Sequence, residues 1–119
     1  MKKIKPLSEY DIQRLAVAAV RMRWPDLLIQ ADSSGVRMSI GQAVKMKRSG
    51  RIAGWPDLFI PGRSGEHCGL FIEMKTPDGT VSAEQKKIHE ELKKRWYSVV
   101  VCRSVQDVIE AVKNYFWDV

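Results

Sequence analysis

The fold class of this chain is decided by two neighbouring segments, Gly54-Trp55-Pro56-Asp57-Leu58-Phe59-Ile60 and Leu70-Phe71-Ile72-Glu73-Met74-Lys75. Each segment contains a run of aromatic and branched residues, which is typical of a β-strand. Residues 61–69 between the runs are rich in glycine and polar residues, which is typical of a turn. The pattern therefore predicts an antiparallel hairpin with a long loop, in which each strand carries an acidic residue near one end.

The residues that follow the hairpin predict a strand, helix and strand crossover. Ser82 and Gln85 have the spacing of a capping box and indicate a helix that runs to about residue 95. The continuously apolar segment Ser98–Cys102 predicts a buried strand. Because such crossovers are right-handed and join parallel strands, strands 70–75 and 98–102 are expected to lie parallel in one sheet. A last helix is expected to begin at Ser104.

The residues that precede the hairpin predict a helix and a short extended piece. Apolar residues follow helical spacing over residues 8–23, and Pro25 ends this pattern. Leu27–Gln30 is then expected to be extended, and a short helix is predicted near residues 39–48. The order is α, short extended piece, β, β, α, β, α, which predicts an α/β fold with helices packed on a mixed sheet.

Composition limits the class of protein. The chain has 119 residues and a net charge of +6, which suits a single domain covering residues 1–119 and a polyanionic partner. The two cysteines, Cys68 and Cys102, lack the spacing of a zinc site and are too few for a disulfide framework. The apolar runs are too short to cross a bilayer, so no membrane association is expected and the cytoplasm is the expected location.

Acidic and basic residues at the ends of the predicted strands carry the candidate chemistry. Glu73 and Lys75 fall on one face of their strand because side chains alternate, and Asp57 reaches the same edge if the hairpin pairs in register. Two carboxylates beside an ammonium group suit Mg²⁺ or Mn²⁺ together with a substrate phosphate. Lys75 would then lie beside the attacking water and orient it or help to deprotonate it. These residues predict metal-dependent hydrolysis of phosphodiester bonds.

Structural explanations compete with this interpretation. Asp57 could cap a turn after Pro56, and Glu73 and Lys75 could form a weak ion pair on a solvated strand face. The segment Trp24-Pro25-Asp26 nearly duplicates Trp55-Pro56-Asp57, so Asp26 is a rival for the metal site. It is the weaker candidate, because no acid-x-Lys pattern follows it on a nearby strand before Glu73.

These segments, together with Ser82-Ala83-Glu84-Gln85, resemble the virus-type replication-repair nucleases (VRR-NUC) of the PD-(D/E)XK superfamily. The resemblance covers nearly the whole chain and implies a restriction-endonuclease-like core of αβββαβ type. It also implies that Asp57 and Glu73 bind the metal with the Met74 carbonyl, that Lys75 is the catalytic lysine, and that Glu9 and Gln85 support the site.

Two of the residues implied by this resemblance have structural alternatives. Gln85 is explained equally well by the capping box, and Glu9 suits the N-terminal end of a helix dipole without any metal. The chain also departs from the family at two places. Residues 30–35 lack the asparagine that members often carry, and Arg95-Trp96-Tyr97 stands where a glycine usually precedes the last strand.

The stand-alone members of the family imply a compact homodimeric endonuclease that acts on branched DNA such as Holliday junctions, in a bacterial or phage-infected cell. Two alternatives stay open at this point. One is a non-catalytic DNA-binding module on the nuclease fold, although such a binder gains nothing from carboxylates that repel phosphate. The other is a restriction-type nuclease, although 119 residues leave no room for a separate domain that reads DNA sequence.

The basic segment before the hairpin is the predicted phosphate-binding surface. Its candidate DNA-binding residues are Arg37, Lys45, Lys47, Arg48 and Arg51.

The histidines and four aromatic residues are given no role in the predicted chemistry. His67 and His89 lack partners at metal-ligand spacing and are expected to be solvated. Trp96, Tyr97, Phe116 and Trp117 are expected to be core or subunit contacts rather than base-stacking groups.

Overall fold

The computed structural model describes residues 4–32 and 38–117 and shows a mixed four-stranded sheet flanked by helices. This confirms the predicted α/β class. The elements in chain order are α1 (Glu9–Arg23), β1 (Gln30–Ala31), α2 (Ile40–Arg48), β2 (Leu58–Ser64), β3 (His67–Met74), α3 (Ala83–Lys94), β4 (Ser98–Cys102) and α4 (Val105–Phe116).

The strands follow one another across the sheet in the order β1-β2-β3-β4. The first two pairings are antiparallel, and β3 pairs parallel with β4 from Leu70↔Ser98 to Met74↔Cys102, which confirms the predicted crossover. Strand β1 is shorter and later than the extended piece predicted at residues 27–30. Within residues 27–31, only Gln30 and Ala31 pair with β2, so most of the predicted piece is irregular chain.

The two faces of the sheet have different chemistry. Alternate strand residues on one face pack against α1 and α4 in the main core, which contains Ile12, Ala16, Val20, Leu58, Ile60, Leu70, Ile72, Met74, Val108 and Val112. The intervening residues Phe59, Phe71 and Glu73 lie on the opposite face, on the same side as Val99 of β4. Helix α3 packs against β4 on this second face, which therefore carries both aromatic side chains and a buried glutamate.

The hairpin turn is shorter than the sequence predicted, so the expectation of a long loop is wrong. Ser64 pairs with His67, so only Gly65 and Glu66 form the turn. The register shifts between Pro61 and Ser64, which is a β-bulge. Helix α4 supports the bulge, because the Tyr115 hydroxyl donates to the Gly62 carbonyl at 2.5 Å and the Ser64 hydroxyl donates to the Tyr115 carbonyl.

Serine side chains begin the four helices. Ser8, Ser39 and Ser82 form reciprocal capping boxes, and Ser104 accepts from the Asp107 amide. These contacts confirm the predicted starts of α1, α3 and α4 and show that the short helix predicted near residues 39–48 is present.

The chain enters β4 through a residue in a left-handed conformation. Trp96 has a φ of 69° and takes the place after α3 where glycine is favoured. The departure from the family noted at Arg95-Trp96-Tyr97 is therefore a change of residue type within a turn of the expected shape. Across residues 4–32 and 38–117, no helix is both long and apolar enough to span a membrane.

Candidate metal centre

Three carboxylates from distant parts of the sequence meet at one edge of the sheet. In the part of the chain that the structure describes, Glu9, Asp57 and Glu73 each offer an oxygen, and these oxygens lie within 4.8 Å of one another. The hairpin register explains the meeting of two of them. Leu58 pairs with Ile72, so the next pair outward is Asp57 and Glu73, on the face opposite the main core. Glu9 reaches them from the first turn of α1.

Asp57 is held rigidly by its neighbours. Its carboxylate accepts a 2.7 Å hydrogen bond from the amide of Met74, and its carbonyl accepts a 2.8 Å bond from the amide of Asp32. The preceding Pro56 is fully buried, and Asp57 itself is only 6% exposed. The side chain therefore joins the end of β3 to the start of β2. This hydrogen bond uses the backbone amide of Met74, whereas the sequence analysis assigned its carbonyl to the metal. Metal ligation by the Met74 carbonyl stays a prediction.

Glu73 is fully buried at the end of β3, and both of its oxygens contact helix α3. The Nε2 atom of His89 lies 3.0 Å from Oε1, and Nε2 of Gln85 donates to Oε2 at 3.4 Å. The side-chain oxygen of Gln85 accepts a 2.9 Å hydrogen bond from the backbone amide of Ser82. The two explanations offered for Gln85 are thus compatible, since one side chain caps α3 and contacts the glutamate.

His89 is the residue at this site that the sequence interpretation missed. It was expected to be solvated, and this expectation is wrong because His89 is only 6% exposed and contacts Glu73. A signal was present in the sequence. Gln85, His89 and Leu92 recur at i, i+4 and i+7, which places them on one side of α3. His67, in contrast, is exposed near the hairpin turn, as predicted.

The three carboxyl groups lie close together in a largely desolvated environment. Burial, followed by the neighbouring Glu73, raises the pKa of Asp57 to about 8. Burial is also the main cause that raises the pKa values of Glu73 and Glu9. The ammonium group of Lys75 acts in the opposite direction on all three carboxyls. Burial lowers the pKa of His89, which favours the neutral imidazole.

Lys75 follows β3 directly and is half-buried beside the three carboxylates. Its amide donates to the Cys102 carbonyl at 2.9 Å, which continues the pairing of β3 with β4 beyond Met74. The loop that follows is fixed from the far side by Arg103. One guanidinium nitrogen of Arg103 donates to the carbonyls of Thr76 at 2.8 Å and Gly79 at 2.6 Å. The backbone on both sides of Lys75 is therefore anchored.

The donor set fits a hard divalent cation. Three carboxylate oxygens within 4.8 Å are the ligand type that Mg²⁺ and Mn²⁺ prefer, and a bound cation would offset both the burial of these charges and their mutual repulsion. Glu9, Asp57 and Glu73 are the residues that would hold it. The rival Asp26 is exposed in the turn after α1 and lies outside this cluster.

A glycine sets the distance between the Asp57 segment and α3. Gly54 has a φ of 86°, a left-handed conformation that favours glycine. A Cβ atom at this position would lie 2.8 Å from the Glu84 carbonyl oxygen and 3.0 Å from the Gln85 amide. The glycine therefore lets the chain before β2 pass close to the first turn of α3, which brings Gln85 and Asp57 to one site.

The predicted basic surface lies partly on α2. Every residue of this helix is exposed or half-buried, and Lys45, Lys47 and Arg48 all lie in its last turn. Arg51 follows and lines a cleft of about 300 Å³ together with Asp32 and Trp55. Arg37 lies outside the described residues. A larger cleft of about 600 Å³ lies at the hairpin turn, at the opposite end of the sheet from the carboxylates.

A mixed sheet flanked by helices, with an aspartate before one strand and Glu-x-Lys at the end of the next, is compatible with the core of the PD-(D/E)XK nucleases. Comparison with known proteins narrows this class. The chain belongs to the VRR-NUC domain family, because the family model matches residues 4–106. This membership implies a nuclease-type function with DNA as the substrate.

A solved structure described as a VRR_NUC domain protein is similar in fold and sequence. It aligns with a TM-score of 0.76 and 27% identity over 94% of this chain and 90% of that chain. No curated protein matches the chain.

Proposed function

We propose that this protein is a Mg²⁺- or Mn²⁺-dependent DNA endonuclease in which Glu9, Asp57 and Glu73 hold the metal. The observation that carries this proposal is the convergence of the three carboxylates, within 4.8 Å, beside Lys75. A cluster of buried acids lowers the stability of a fold when it is left without a cation, and it repels a DNA backbone. Its presence in a chain with a net charge of +6 therefore supports a catalytic use.

In this proposal, the metal, the carboxylates and Lys75 each have a separate role. The metal, when bound, stabilises negative charge at the phosphate and lowers the pKa of a water molecule. Asp57 and Glu73 are held in place by the Met74 amide and by α3, so they are ready to bind before substrate arrives. Lys75 would lie beside the attacking water and orient it.

The preferred substrate in this proposal is branched DNA such as a Holliday junction, and the active form is a homodimer. A single copy of the carboxylate cluster can cut one strand, whereas a two-fold dimer places two clusters for paired cuts. The net positive charge supports binding to several DNA backbones at once. A sedimentation mass equal to one chain, both with and without junction DNA, would remove the dimer from the proposal.

The catalytic part of the proposal is tested by nicking assays on supercoiled plasmid and on a synthetic four-way junction, with Mg²⁺, Mn²⁺ or chelator. Asp57→Asn and Lys75→Ala are each expected to lower nicking by roughly a hundredfold or more while DNA binding persists. Asp26→Asn is the matched control, because Asp26 follows the same Trp-Pro pair but is exposed and outside the cluster. Full nicking by both site variants would overturn the proposal, and binding without nicking by the wild type would identify a DNA-binding module.

A further inference from the structure

An aromatic cleft lies directly beside the carboxylate cluster, on the same face of the sheet. It has a volume of about 250 Å³, and Asp57 forms part of its wall. Four of the residues that line it are aromatic, and Gln30 and Asp32 are further polar residues of the lining. The rings are those of Trp55, Phe59, Phe71 and Tyr97. Tyr97 thus lines a cleft, whereas a core or subunit contact was expected from the sequence.

The rings form one connected cluster. Phe71 lies at the centre, with ring centroids 4.4 Å from Phe59, 5.2 Å from Tyr97 and 5.5 Å from Trp55. Phe71 is buried, whereas the three rings around it are only half-buried. The sheet explains the arrangement, because Phe59 and Phe71 are a cross-strand pair and Tyr97 directly precedes β4 on the same side. Among the described residues the cluster is not fully covered, because Trp55, Phe59 and Tyr97 stay half-buried and line a cleft that also includes Asp57.

The surroundings of the cleft are suited to a nucleic-acid strand. Trp55 and Asp32 also line the neighbouring 300 Å³ cleft, which contains Arg51 and the end of α2. The two clefts therefore share a wall, and the basic last turn of α2 lies next to the second one. A path runs from the carboxylates, across the aromatic rings, to a group of positive charges. Proteins bind single strands by this combination of stacking rings and adjacent basic groups.

We infer that this cleft binds one unpaired nucleobase of the DNA, next to the phosphate at the carboxylate cluster. The inference rests on the proposed nuclease function and adds a substrate preference to it. A base in the cleft has its own phosphates beside Asp57, so stacking positions the bond to be cut. Gln30 is exposed and lines the cleft, and its side-chain amide carries a donor and an acceptor that suit the polar edge of a base. DNA with an extrahelical base is therefore a better ligand than a fully paired duplex.

The test measures binding in chelator, so that no DNA is cut. Three duplexes of one sequence are compared by fluorescence anisotropy: one fully paired, one with a single extra adenine, and one with an abasic site in place of that adenine. Stacking of one base on aromatic side chains is worth roughly 5- to 150-fold in affinity. The wild type is expected to bind the adenine bulge at least about tenfold more tightly than either of the other duplexes. Equal binding of the abasic bulge would overturn the inference, since flexibility alone would then explain the preference.

The variants locate the preference in the cleft. Trp55→Ala is expected to bring the ratio between bulged and paired duplex close to one, whereas Trp55→Phe keeps most of it. Tyr97→Leu keeps apolar volume but removes a ring and is expected to lower the ratio, which covers the case in which Trp55→Ala fails to fold. The matched control is Trp117→Ala, because Trp117 is exposed at the end of α4 and stacks on Trp24. An unchanged ratio in Trp55→Ala and Tyr97→Leu would overturn the inference.

The failure of this inference is distinguishable from failure of the proposed function. If the wild type nicks DNA with Mg²⁺ or Mn²⁺ but shows no bulge preference in chelator, the nuclease stands and the base site is wrong. If it prefers the bulge but never nicks, the base site stands and the catalytic proposal is wrong.

Discussion

His89 and Glu73 are 16 positions apart in sequence, yet the Nε2 atom of one lies 3.0 Å from the Oε1 atom of the other in the interior of the protein. Gln85, one turn earlier on α3, contacts the second oxygen of Glu73. The helix therefore holds the glutamate at both oxygens and fixes the direction in which its remaining lone pairs point. In metal sites, contacts of this kind orient a ligand side chain and maintain the affinity of the site for the metal.

The first prediction concerns His89. His89→Ala leaves one Glu73 oxygen without its partner, so the Mn²⁺ concentration needed for half-maximal nicking is expected to rise about 10- to 100-fold. His89→Gln can still donate to the glutamate and is expected to restore part of the affinity. The control is His67→Ala, since His67 is exposed near the hairpin turn. If His89→Ala and His67→Ala have the same metal requirement, the contact with Glu73 has no positioning role.

The second prediction concerns stability against pH in the absence of metal. Burial raises the pKa of Asp57 from 3.8 to about 8, so the folded chain binds more protons than the unfolded chain between these values. The free energy of unfolding is therefore expected to fall as the pH rises towards 8. His89 has the opposite effect below its ordinary pKa of 6.5, because its pKa is lowered in the folded chain. The measurement is accordingly made between pH 6.5 and 8.

Urea unfolding in chelator at these two pH values provides the measurement, with Asp57→Asn as the comparison. The asparagine cannot titrate, and it retains an oxygen that can accept from the Met74 amide. Its free energy of unfolding should therefore change less over this interval than that of the wild type. A variant with the same pH dependence as the wild type would contradict the assignment to Asp57.

The third prediction compares three glycines. Gly54→Ala combines a left-handed φ of 86° with an approach of 2.8 Å to the Glu84 carbonyl, and it is expected to destabilise the protein by about 2 kcal/mol or more. Gly50→Ala has a φ of 113° but open space, so it tests the backbone strain alone. Gly41→Ala lies in α2 with open space and is expected to stabilise by about 0.5–1 kcal/mol. Thermal unfolding measures the relative stability of the three variants. An equal loss of stability for Gly54→Ala and Gly50→Ala would exclude the steric contribution.

The fourth prediction concerns the basic turn of α2. Replacement of Lys45, Lys47 and Arg48 by alanine is expected to weaken DNA binding for all sequences alike. It should also reduce the slope of log affinity against log salt by about 2–3, close to one unit for each lost phosphate contact. The binding is measured by anisotropy between low and physiological salt.

A control with the same change in net charge separates local contacts from overall charge. Lys93, Lys94 and Lys113 each form an ion pair with an exposed glutamate, so their replacement by alanine removes three positive charges elsewhere on the surface. An equal loss of salt dependence in both triple variants would show that α2 makes no specific phosphate contacts.

Local signals in the sequence predicted most of the fold. Helix starts depend on a serine side chain and its neighbours within one turn, and for this reason Ser8 and Ser82 located α1 and α3 correctly. The hairpin turn was placed wrongly because Pro61 and Gly62 are residues of loops by local preference. They belong to β2 because a bulge accommodates them and Tyr115 of α4 binds the Gly62 carbonyl. That contact joins residues 53 positions apart, so no local pattern could reveal it.

The candidate site also combines features that local patterns predicted with one that depends on distant contacts. The faces of Asp57, Glu73 and Lys75 followed from strand alternation, and the structure brings the two carboxylates together as expected. Burial of His89 depends on where α3 lies over the sheet, which the crossover leaves undetermined. Its position between Gln85 and Leu92 was a usable signal, but a polar residue on a charged helix was interpreted as solvated.

Arg103 shows why the chain's positive residues are not all equivalent. Its guanidinium donates hydrogen bonds to carbonyl groups of the loop after Lys75, so it stabilises the protein's own backbone instead of binding a phosphate. A random-mutagenesis screen for loss of cutting would recover position 103 together with the acidic residues, although it lies 28 positions beyond the lysine it supports. An engineer who removes arginines to weaken DNA retention should therefore leave this one in place.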